Sequence, residues 1–237
     1  MLETKEIYNL NSLFEKKSSF SILLYSVQNL FSKKIAYVCS FGTESAVILH
    51  MISRMDKEFP IIFLNTQKLF KETIEYKDTI IKHLSLKNVK EVFPNPKDVE
   101  INDPKGFLWK KDPDLCCKLR KVEPLILNLK RYDAWISGRK SYQNNERATK
   151  SFVDVQEGKV IISPLINWSQ KKINEYFLAN NLPRHPLMQE GYLSIGCQNC
   201  TVKTSNKSNT RSGRWSGTDK TECGIHFSKT FTEKTLG

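Results

Sequence analysis

Short blocks of apolar, often β-branched residues alternate along the chain with longer stretches in which apolar residues recur every three or four positions. The blocks IAYVCSF and IIFLNT are typical of short buried β-strands, and VKEVFP and AWISGR are predicted to be two further strands. The stretches SAVILHMISRM and LFKETIEYKDTIIKHL, which follow the first two blocks, have the spacing of amphipathic helices. Strands that alternate with helices of this length predict one α/β domain with a mostly parallel sheet flanked by helices.

Further helices are expected at both ends of this region. Residues 1–34 are predicted to be helical from the positions of Leu10, Leu13 and Phe14. CCKLRKVEPLILNLKR is expected to form one helix, and the residues between AWISGR and the apolar stretch KVIISPL a polar loop. SQKKINEYFLANN should form the last helix, which Ser169 caps and Asn180–Asn181 ends before Pro183.

The composition changes at Thr201. Between Thr201 and Glu222 most residues are serine, threonine, asparagine or glycine, and only Val202 and Trp215 are clearly apolar. This composition predicts a mobile loop and not a packed element. We therefore expect a helical segment at 1–34, an α/β domain at 35–200 and a flexible C-terminal tail at 201–237.

The charge of the chain is unusual for an ordinary globular composition. The 237 residues include 37 lysines and arginines and 25 aspartates and glutamates, which gives a net charge of +12. This balance favours anionic partners, but the longest basic runs are pairs such as Lys33–Lys34, so a well-solvated surface is the simpler interpretation. The N-terminus lacks the pattern of a secretory signal, and SILLYSV is too short to span a bilayer. We therefore expect a cytoplasmic protein without a membrane partner, in which thiols stay reduced.

Polar residues stand where three predicted strands end, and ligands of open parallel sheets bind at that edge. After the first strand, Gly42 permits a sharp turn, and the hydroxyls and the N-terminus of the next helix suit an anion. The basic tip after the strand AWISGR would suit an anionic ligand as well. From the residues alone, an ordinary strand-to-helix turn with caps remains an alternative. The candidate residues are Ser40, Phe41, Gly42, Thr43, Glu44, Ser45, Asn65, Thr66, Arg139 and Lys140.

Four of the 6 cysteines form two close pairs, Cys116–Cys117 and Cys197–Cys200. Such thiolates could bind a tetrahedral zinc ion or an iron–sulfur cluster. Adjacent cysteines favour a [4Fe–4S] cluster, because its separate iron atoms can each take one of two neighbouring thiolates. Buried cysteines without a metal remain an alternative, and Cys39, inside a strand, is interpreted as a core residue.

Cys223 stands apart, because it lies in a polar tail three residues before His226. A nearby cation lowers the pKa of a thiol, and the thiolate is the reactive form, so this pair is a candidate for nucleophilic chemistry. The other histidines, His50, His83 and His185, are interpreted as surface or core residues.

Five motifs, in the expected order, resemble the assimilatory sulfonucleotide reductases, which reduce adenylyl sulfate (APS) or its 3′-phosphorylated form (PAPS). SFGTES resembles the modified pyrophosphatase loop of that family, and FLNTQKLFKET its FLDTGxLFxET stretch, with Asn65 at the usual acid and Gln67 at the glycine. CCKLRKVEPL, SIGCQNCT and RSGRWSGTDKTECGIH resemble the other three motifs. The resemblance covers residues 35 to 227 and implies a PP-loop fold like that of the adenine nucleotide alpha hydrolases.

The resemblance implies an APS reductase of sulfate assimilation and cysteine biosynthesis, which releases sulfite and AMP and uses thioredoxin or glutaredoxin as reductant. Cys223 would attack the sulfur of APS and carry a thiosulfonate, with His226 and Lys121 assisting. The paired cysteines mark the branch of the family that binds a [4Fe–4S] cluster, whose role looks electrostatic and structural. The implied ligands of the cluster are Cys116, Cys117, Cys197 and Cys200, and the implied further substrate contacts are Gln143, Arg147, Arg211 and Arg214.

Three alternatives make different predictions. A PAPS reductase would differ by a single ribose phosphate, and Ser141 stands where relatives usually carry another basic residue. A PP-loop ATP pyrophosphatase that thiolates tRNA would share the fold, but Phe41 and Glu44 interrupt its SGGxDS loop. A cluster-bearing nucleic-acid binder or redox sensor would explain the charge but not Cys223. We expect no nucleic-acid partner and leave a homo-oligomer open.

Overall fold

A computed structural model describes residues 2–143, 145–204, 209–218, 220 and 222–226, without the side chains of residues 145, 146 and 226. Within these residues, one sheet comprises β1 (Ile35–Cys39), β2 (Ile61–Leu64), β3 (Val89–Val92), β4 (Ala134–Ile136), β5 (Val153–Gln156) and β6 (Lys159–Ile162). The α-helices described are α1 (Thr4–Glu15), α2 (Ser19–Tyr25), α3 (Ala46–Met55), α4 (Lys71–Leu84), α5 (Pro96–Asn102), α6 (Leu108–Lys111), α7 (Pro113–Cys117), α8 (Glu123–Leu129), α9 (Asn145–Ala148) and α10 (Gln170–Ala179).

The order of the strands in the sheet is β3–β2–β1–β4–β6–β5. The four pairs from β3 to β6 are parallel, and β5 pairs with β6 in the antiparallel direction. The predicted α/β domain with a mostly parallel sheet flanked by helices is therefore confirmed. Because β1, β2 and β4 are neighbours and parallel, their carboxyl ends lie at one edge of the sheet, where ligands of such folds bind.

Both faces of the sheet are covered at β1, β2 and β4, which explains the uninterrupted apolar runs of these three strands. In β1, Ile35, Tyr37 and Cys39 pack into one hydrophobic cluster, together with residues of α3 and α4. Ala36 and Val38 point the other way, into a second cluster built partly by α8. Successive side chains of a strand alternate between faces, so five consecutive buried residues need two cores. The prediction that Cys39 belongs to the core is confirmed, since it is 2% exposed.

The polar loop predicted before KVIISPL is wrong at β5. β5 and β6 form a hairpin whose two turn residues, Glu157 and Gly158, have φ angles of 50° and 70°. Positive φ at both positions is the geometry that matches the right-handed twist of two joined strands. The signal is weak in the sequence because only Val153 and Val155 of β5 are apolar, which is the alternation of a strand at the rim of a sheet.

The N-terminal helices pack beside this rim. α1 contacts β5, and α2 continues as a π-helical segment, Ser26–Leu30. The side-chain amide of Asn11 bonds to β5 as a backbone would: Asn11 Nδ2 donates to Val153 O at 3.0 Å, and Val153 N donates to Asn11 Oδ1 at 3.0 Å. The residues of 1–34 predicted to be helical therefore include α1 and α2, and α1 closes the outer edge of β5.

The single helix predicted from Cys116 is divided in the structure. α7 begins after Asp112, whose side chain accepts hydrogen bonds from the backbone of Asp114 and Leu115. A π-helical turn, Lys118–Val122, separates α7 from α8 just before Pro124, which cannot donate a backbone hydrogen bond. The prediction for α10 is confirmed, because Ser169 Oγ accepts from Lys172 N and the helix ends at Ala179. None of the helices in the described ranges combines the length and the apolar character that crossing a bilayer requires.

Candidate active site

A cavity opens at the carboxyl ends of β1, β2 and β4, with an empty volume of about 1130 Å³ including its mouth. The loop after β1, the loop after β4 and the tail contribute walls, together with the start of the segment after β2. The predicted site residues that line the cavity are Ser40, Gly42, Thr43, Glu44, Ser45, Lys121, Arg139, Lys140, Gln143, Arg147, Arg211, Arg214 and Cys223.

The loop after β1 turns at Phe41 and not at Gly42. Phe41 has a φ of 47°, in the left-handed region that a bulky residue seldom adopts, and it is fully buried with its ring edge-to-face on Phe63 at 5.2 Å. Backbone strain of this kind persists where packing enforces it and is concentrated at functional sites. With the Phe41 ring held in the core, the polar residues on both sides of it, including Ser40 and Thr43, line the cavity.

Glu44 joins the two strand-end loops. Lys140 Nζ lies 2.6 Å from Glu44 Oε2, and Tyr142 and Gln143 donate hydrogen bonds to the same carboxylate at 2.5 and 3.0 Å. Burial alone would raise the pKa of Glu44, but Lys140 and the hydrogen bonds lower it below the usual value. Glu44 is therefore a carboxylate that fixes the loop after β4 against the loop after β1.

Three arginines of the cavity lining have a buried guanidinium Nε donor without an acceptor in the described part of the chain. Within the described residues, the Nε atoms of Arg139, Arg211 and Arg214 are buried without a hydrogen-bond partner. Arg139 Nη2 donates to Asp154 Oδ2 at 2.9 Å and to Ser163 Oγ at 3.1 Å, and burial lowers the pKa of its guanidinium. Buried donors normally have acceptors, so these three arginines, which belong to the cavity lining, are suited to an anionic ligand.

The described part of the tail is packed against the cavity. Trp215 is 4% exposed, and the guanidiniums of Arg211 and Arg214 lie 5.4 and 4.4 Å from its ring centroid. Trp215 N donates to Cys200 O at 2.9 Å, and Arg214 pairs with Thr201 in an isolated β-bridge. The expectation that this segment is not a packed element is wrong for these residues, because one tryptophan anchors them. Its mobility stays a prediction.

Arg214 reaches the cavity by passing Gly196. Arg214 Nη1 donates to Ile195 O at 3.1 Å, and a Cβ atom on Gly196 would overlap the guanidinium. Ser194, Ile195 and Gly196 line the cavity, and the sequence analysis did not select them as site residues. Their position in the SIGC motif, beside Cys197, is the only feature of the sequence that indicates a role for them at the site.

Cys223 lies at the cavity beside a cation and a second thiol. Lys121 Nζ is 3.8 Å from Cys223 Sγ. The hydrogen bond with Cys117 lowers the pKa of Cys223 below the usual value, and Lys121 adds to this effect although burial opposes it. Two residues 102 positions apart in the sequence are thus brought together as a thiolate and its counter-charge. The side chain of His226 lies outside the described residues, and its role stays a prediction.

Cys116 and Cys117 lie on α7, and Cys197 and Cys200 lie just before and at the end of the short 3₁₀ turn Gln198–Cys200. Burial raises the pKa of Cys116 to about 11, and the nearby thiols of Cys197 and Cys200 contribute to this rise. Cys197 Sγ is 3.2 Å from Thr66 Oγ1, while Cys117 faces Cys223. Among the described residues, no three histidine, cysteine, aspartate or glutamate side chains converge on a position for one metal ion.

Three predicted substrate contacts are not brought to the cavity lining. Phe41 is in the core, and Thr66 contacts Cys197. Asn65 Nδ2 donates to Glu91 Oε1 at 2.5 Å, and Asn65 Oδ1 accepts from Gln67 N at 2.9 Å. Asn65 thus holds the turn in which Gln67 has a φ of 60°, a conformation that suits glycine better.

Comparisons with known proteins agree on one kind of protein. The model of the phosphoadenosine phosphosulfate reductase domain matches residues 34–203. A protein of Mesorhizobium japonicum named adenosine 5′-phosphosulfate reductase is 40% identical over 92% of this chain and 86% of its own length. A protein of the same name from Chelativorans sp. is 44% identical over 81% of this chain and 79% of its own.

Solved structures give the same picture. The crystal structure of phosphoadenylyl-sulfate reductase from Candida auris, in complex with phosphate, superposes with a TM-score of 0.74 at 26% identity, covering 85% of this chain and 98% of that one. FMN adenylyltransferase of Candida glabrata, at 15% identity and a TM-score of 0.57, covers 91% of this chain and 82% of its own and shares the fold.

Proposed function

The chain belongs to the phosphoadenosine phosphosulfate reductase domain family, and from this premise we propose that it reduces adenosine 5′-phosphosulfate to sulfite and AMP. The name of the two curated relatives, which cover most of the chain, supports this substrate. The observation that carries the proposal is the position of Cys223, at the cavity beyond the carboxyl ends of β1, β2 and β4 and next to Lys121. A lowered thiol pKa beside an ammonium group is the condition for a cysteine nucleophile.

The reaction consists of two displacements at sulfur. Cys223 Sγ attacks the sulfur of the sulfate group, an S–S bond forms, and the S–O bond to the phosphate breaks with its electron pair on AMP. A thiolate of a dithiol reductant of the thioredoxin type then attacks Cys223 Sγ, and sulfite leaves with the electron pair of the S–S bond. The second thiol of the reductant resolves the mixed disulfide and restores Cys223, so the reductant supplies both electrons.

The basic residues of the cavity account for the binding and the activation of an anionic nucleotide. Arg139 and Arg214, which belong to the cavity lining, can bind the phosphate or sulfate oxygens of the nucleotide. Ser40, Thr43 and Ser45 add hydroxyl groups at the start of α3. Lys121, beside Cys223, can stabilise both the thiolate and the charge that develops on the leaving phosphate.

The four paired cysteines are a donor set that fits an iron–sulfur cluster. Cys116 and Cys117 on α7 and Cys197 and Cys200 at the 3₁₀ turn Gln198–Cys200 would hold it, because they are soft thiolate ligands from two segments that lie close together. Their separation into two pairs suits a cluster better than one small ion. When bound, a cluster would link α7 to the segment that carries Cys197 and Cys200 and so add rigidity next to the cavity. Cys117 would then exchange its contact with Cys223 for a bond to iron, and Lys121 would remain the partner of the nucleophile.

The proposal is tested by mass spectrometry after incubation of the intact, metal-loaded protein with APS. We expect an added SO₃ group on the peptide that carries Cys223, and its release as sulfite when reduced thioredoxin is added. Cys223→Ser should still bind AMP and form no adduct, whereas Cys39→Ser, a core substitution, should keep the adduct. A wild-type protein that never acquires SO₃ from APS but does so from PAPS would reverse the choice of substrate. Failure with both nucleotides would refute the proposed reaction.

A further inference from the structure

Glu222, the residue before Cys223, is a buried and fully engaged carboxylate. Its side chain is 2% exposed. Arg147 Nε and Nη2 donate to its two oxygens at 2.5 and 2.9 Å, and Arg211 Nη2 donates to Oε1 at 2.8 Å. The two arginines come from α9 and from the tail, so the carboxylate joins separate segments. Buried ion pairs hold their partners in place, because separation leaves a charge uncompensated.

The same carboxylate fixes the backbone of the nucleophile. Cys223 N donates to Glu222 Oε1 at 2.8 Å. On the other side, Arg147 donates to Gln143 Oε1, and Gln143 Nε2 donates to Glu44 Oε2 at 3.0 Å. A continuous set of hydrogen bonds therefore runs from the loop after β1 to the peptide N–H of Cys223. The burial of Arg211 and the charge of nearby Arg147 lower the pKa of Arg211, and the carboxylate of Glu222 opposes this shift.

We propose that Glu222 is a positioning residue for Cys223: clamped by Arg147 and Arg211, its carboxylate docks the tail so that the thiol lies at the cavity. The inference rests on the proposed function, in which this thiol attacks a bound nucleotide and later meets a reductant. Such a thiol needs a docking contact that is directional but reversible, and charged groups that regain water on release provide one. Arg147 and Arg211 are expected from the sequence to bind substrate. In the substrate-free protein, the proposal gives them a different role, which is to bind the carboxylate of Glu222 in the tail.

The inference is tested with Glu222→Gln, which keeps the size and the acceptor oxygen but removes the charge. Glu222→Asp keeps the charge on a shorter side chain. Glu190→Gln is the matched control, because Glu190 is half-exposed and only 3.7 Å from Lys203 in a surface ion pair. We expect Glu222→Gln to form the SO₃ adduct from APS in a single turnover about 10- to 100-fold more slowly than wild type, with AMP affinity within about 2-fold. Glu222→Asp should be intermediate, and Glu190→Gln should behave as wild type.

A measurement independent of turnover separates this inference from the proposed function. Iodoacetamide should alkylate Cys223 faster in Glu222→Gln than in wild type, because the tail is no longer docked. Sulfite release by reduced thioredoxin from the adduct, once formed, should be unchanged. Equal alkylation rates in folded wild type and Glu222→Asp and Glu222→Gln variants would overturn the docking role, even if wild type reduces APS. A loss of AMP affinity that matches the loss of adduct formation would overturn it too, since Glu222 would then act on nucleotide binding.

Discussion

The passage of Arg214 past Gly196 gives a demanding test of the site. The backbone of Gly196 is outside the left-handed region, so alanine is not strained there by its own conformation. Its Cβ, however, would overlap Nη2, Cζ and Nη1 of Arg214. The arginine end is flexible, so Gly196→Ala should displace that side chain and leave the fold in place.

The size of the effect follows from what Arg214 would lose. Its hydrogen bond to Ile195 O, at 3.1 Å, is worth about 1 kcal/mol. Its position over Trp215, 4.4 Å from the ring centroid, is worth about another 1 kcal/mol. If these contacts orient Arg214 toward the nucleotide, about 2 kcal/mol corresponds to a roughly 30-fold fall in kcat/KM. We expect the melting temperature to fall by about 4–8 °C, as for a loss of about 2 kcal/mol in a chain of this size.

The assay is steady-state sulfite release from APS, measured for Gly196→Ala, Arg214→Ala and the double variant. If Gly196 acts only through Arg214, the double variant should match Arg214→Ala within about 2-fold, because the side chain that alanine displaces is already absent. Full kcat/KM in Gly196→Ala would refute the reasoning. So would a double variant whose loss equals the product of the two single losses.

Two further predictions concern other parts of the molecule. Burial lowers the pKa of His185 to about 4, against about 6.5 in an unfolded chain, so the unfolded state takes up the proton first as the pH falls. The contribution of neutral His185 to the free energy of unfolding is fully present above pH 6.5 and should decline by roughly 3 kcal/mol toward pH 4. Urea unfolding at pH 7 and pH 4.5 should show a smaller decline for His185→Gln than for wild type. An equal decline in both proteins would contradict this prediction. The purified holoprotein should be brown with broad absorbance near roughly 400 nm, and Cys197→Ser should lower both the absorbance and the iron content. A colourless wild-type protein that contains one zinc ion would contradict the cluster.

Three of the four strands that the sequence predicts are buried on both faces, whereas in the fourth, β3, only Val92 is buried. β1, β2 and β4 are uninterrupted apolar runs, and a run of that kind has few alternatives. β5 was missed because its apolar residues alternate with Asp154 and Gln156, and four residues are too few for that alternation to stand out. Its hairpin depends on two positive φ angles, at Glu157 and Gly158, that composition signals only weakly.

The residues of the site were likewise predicted only where their positions follow from the strands. Residues after β1 and β4 were predicted because the edge of a parallel sheet is known once the strands are known. Asn65 follows β2 in the same way, yet its amide is taken by Glu91 of β3, and such a partner depends on strand order. Glu222 was not predicted as a site residue, because its role depends on its contacts with Arg147 and Arg211. Those contacts exist only once the tail is docked, which the polar composition of the tail did not predict.

The amide of Asn11 has a consequence for how the protein behaves in a concentrated solution. The outermost strand of a sheet presents unpaired N–H and C=O groups, and another chain can add to them as a further strand. Asn11 occupies both groups of Val153 on β5, and α1 lies over that margin. A chain shortened to begin after α1 would keep its cavity and its cysteines, but the edge of β5 would be exposed to strand addition by another chain. α1 thus protects the outer edge of β5 from strand addition by other chains, a role separate from the chemistry at the cavity.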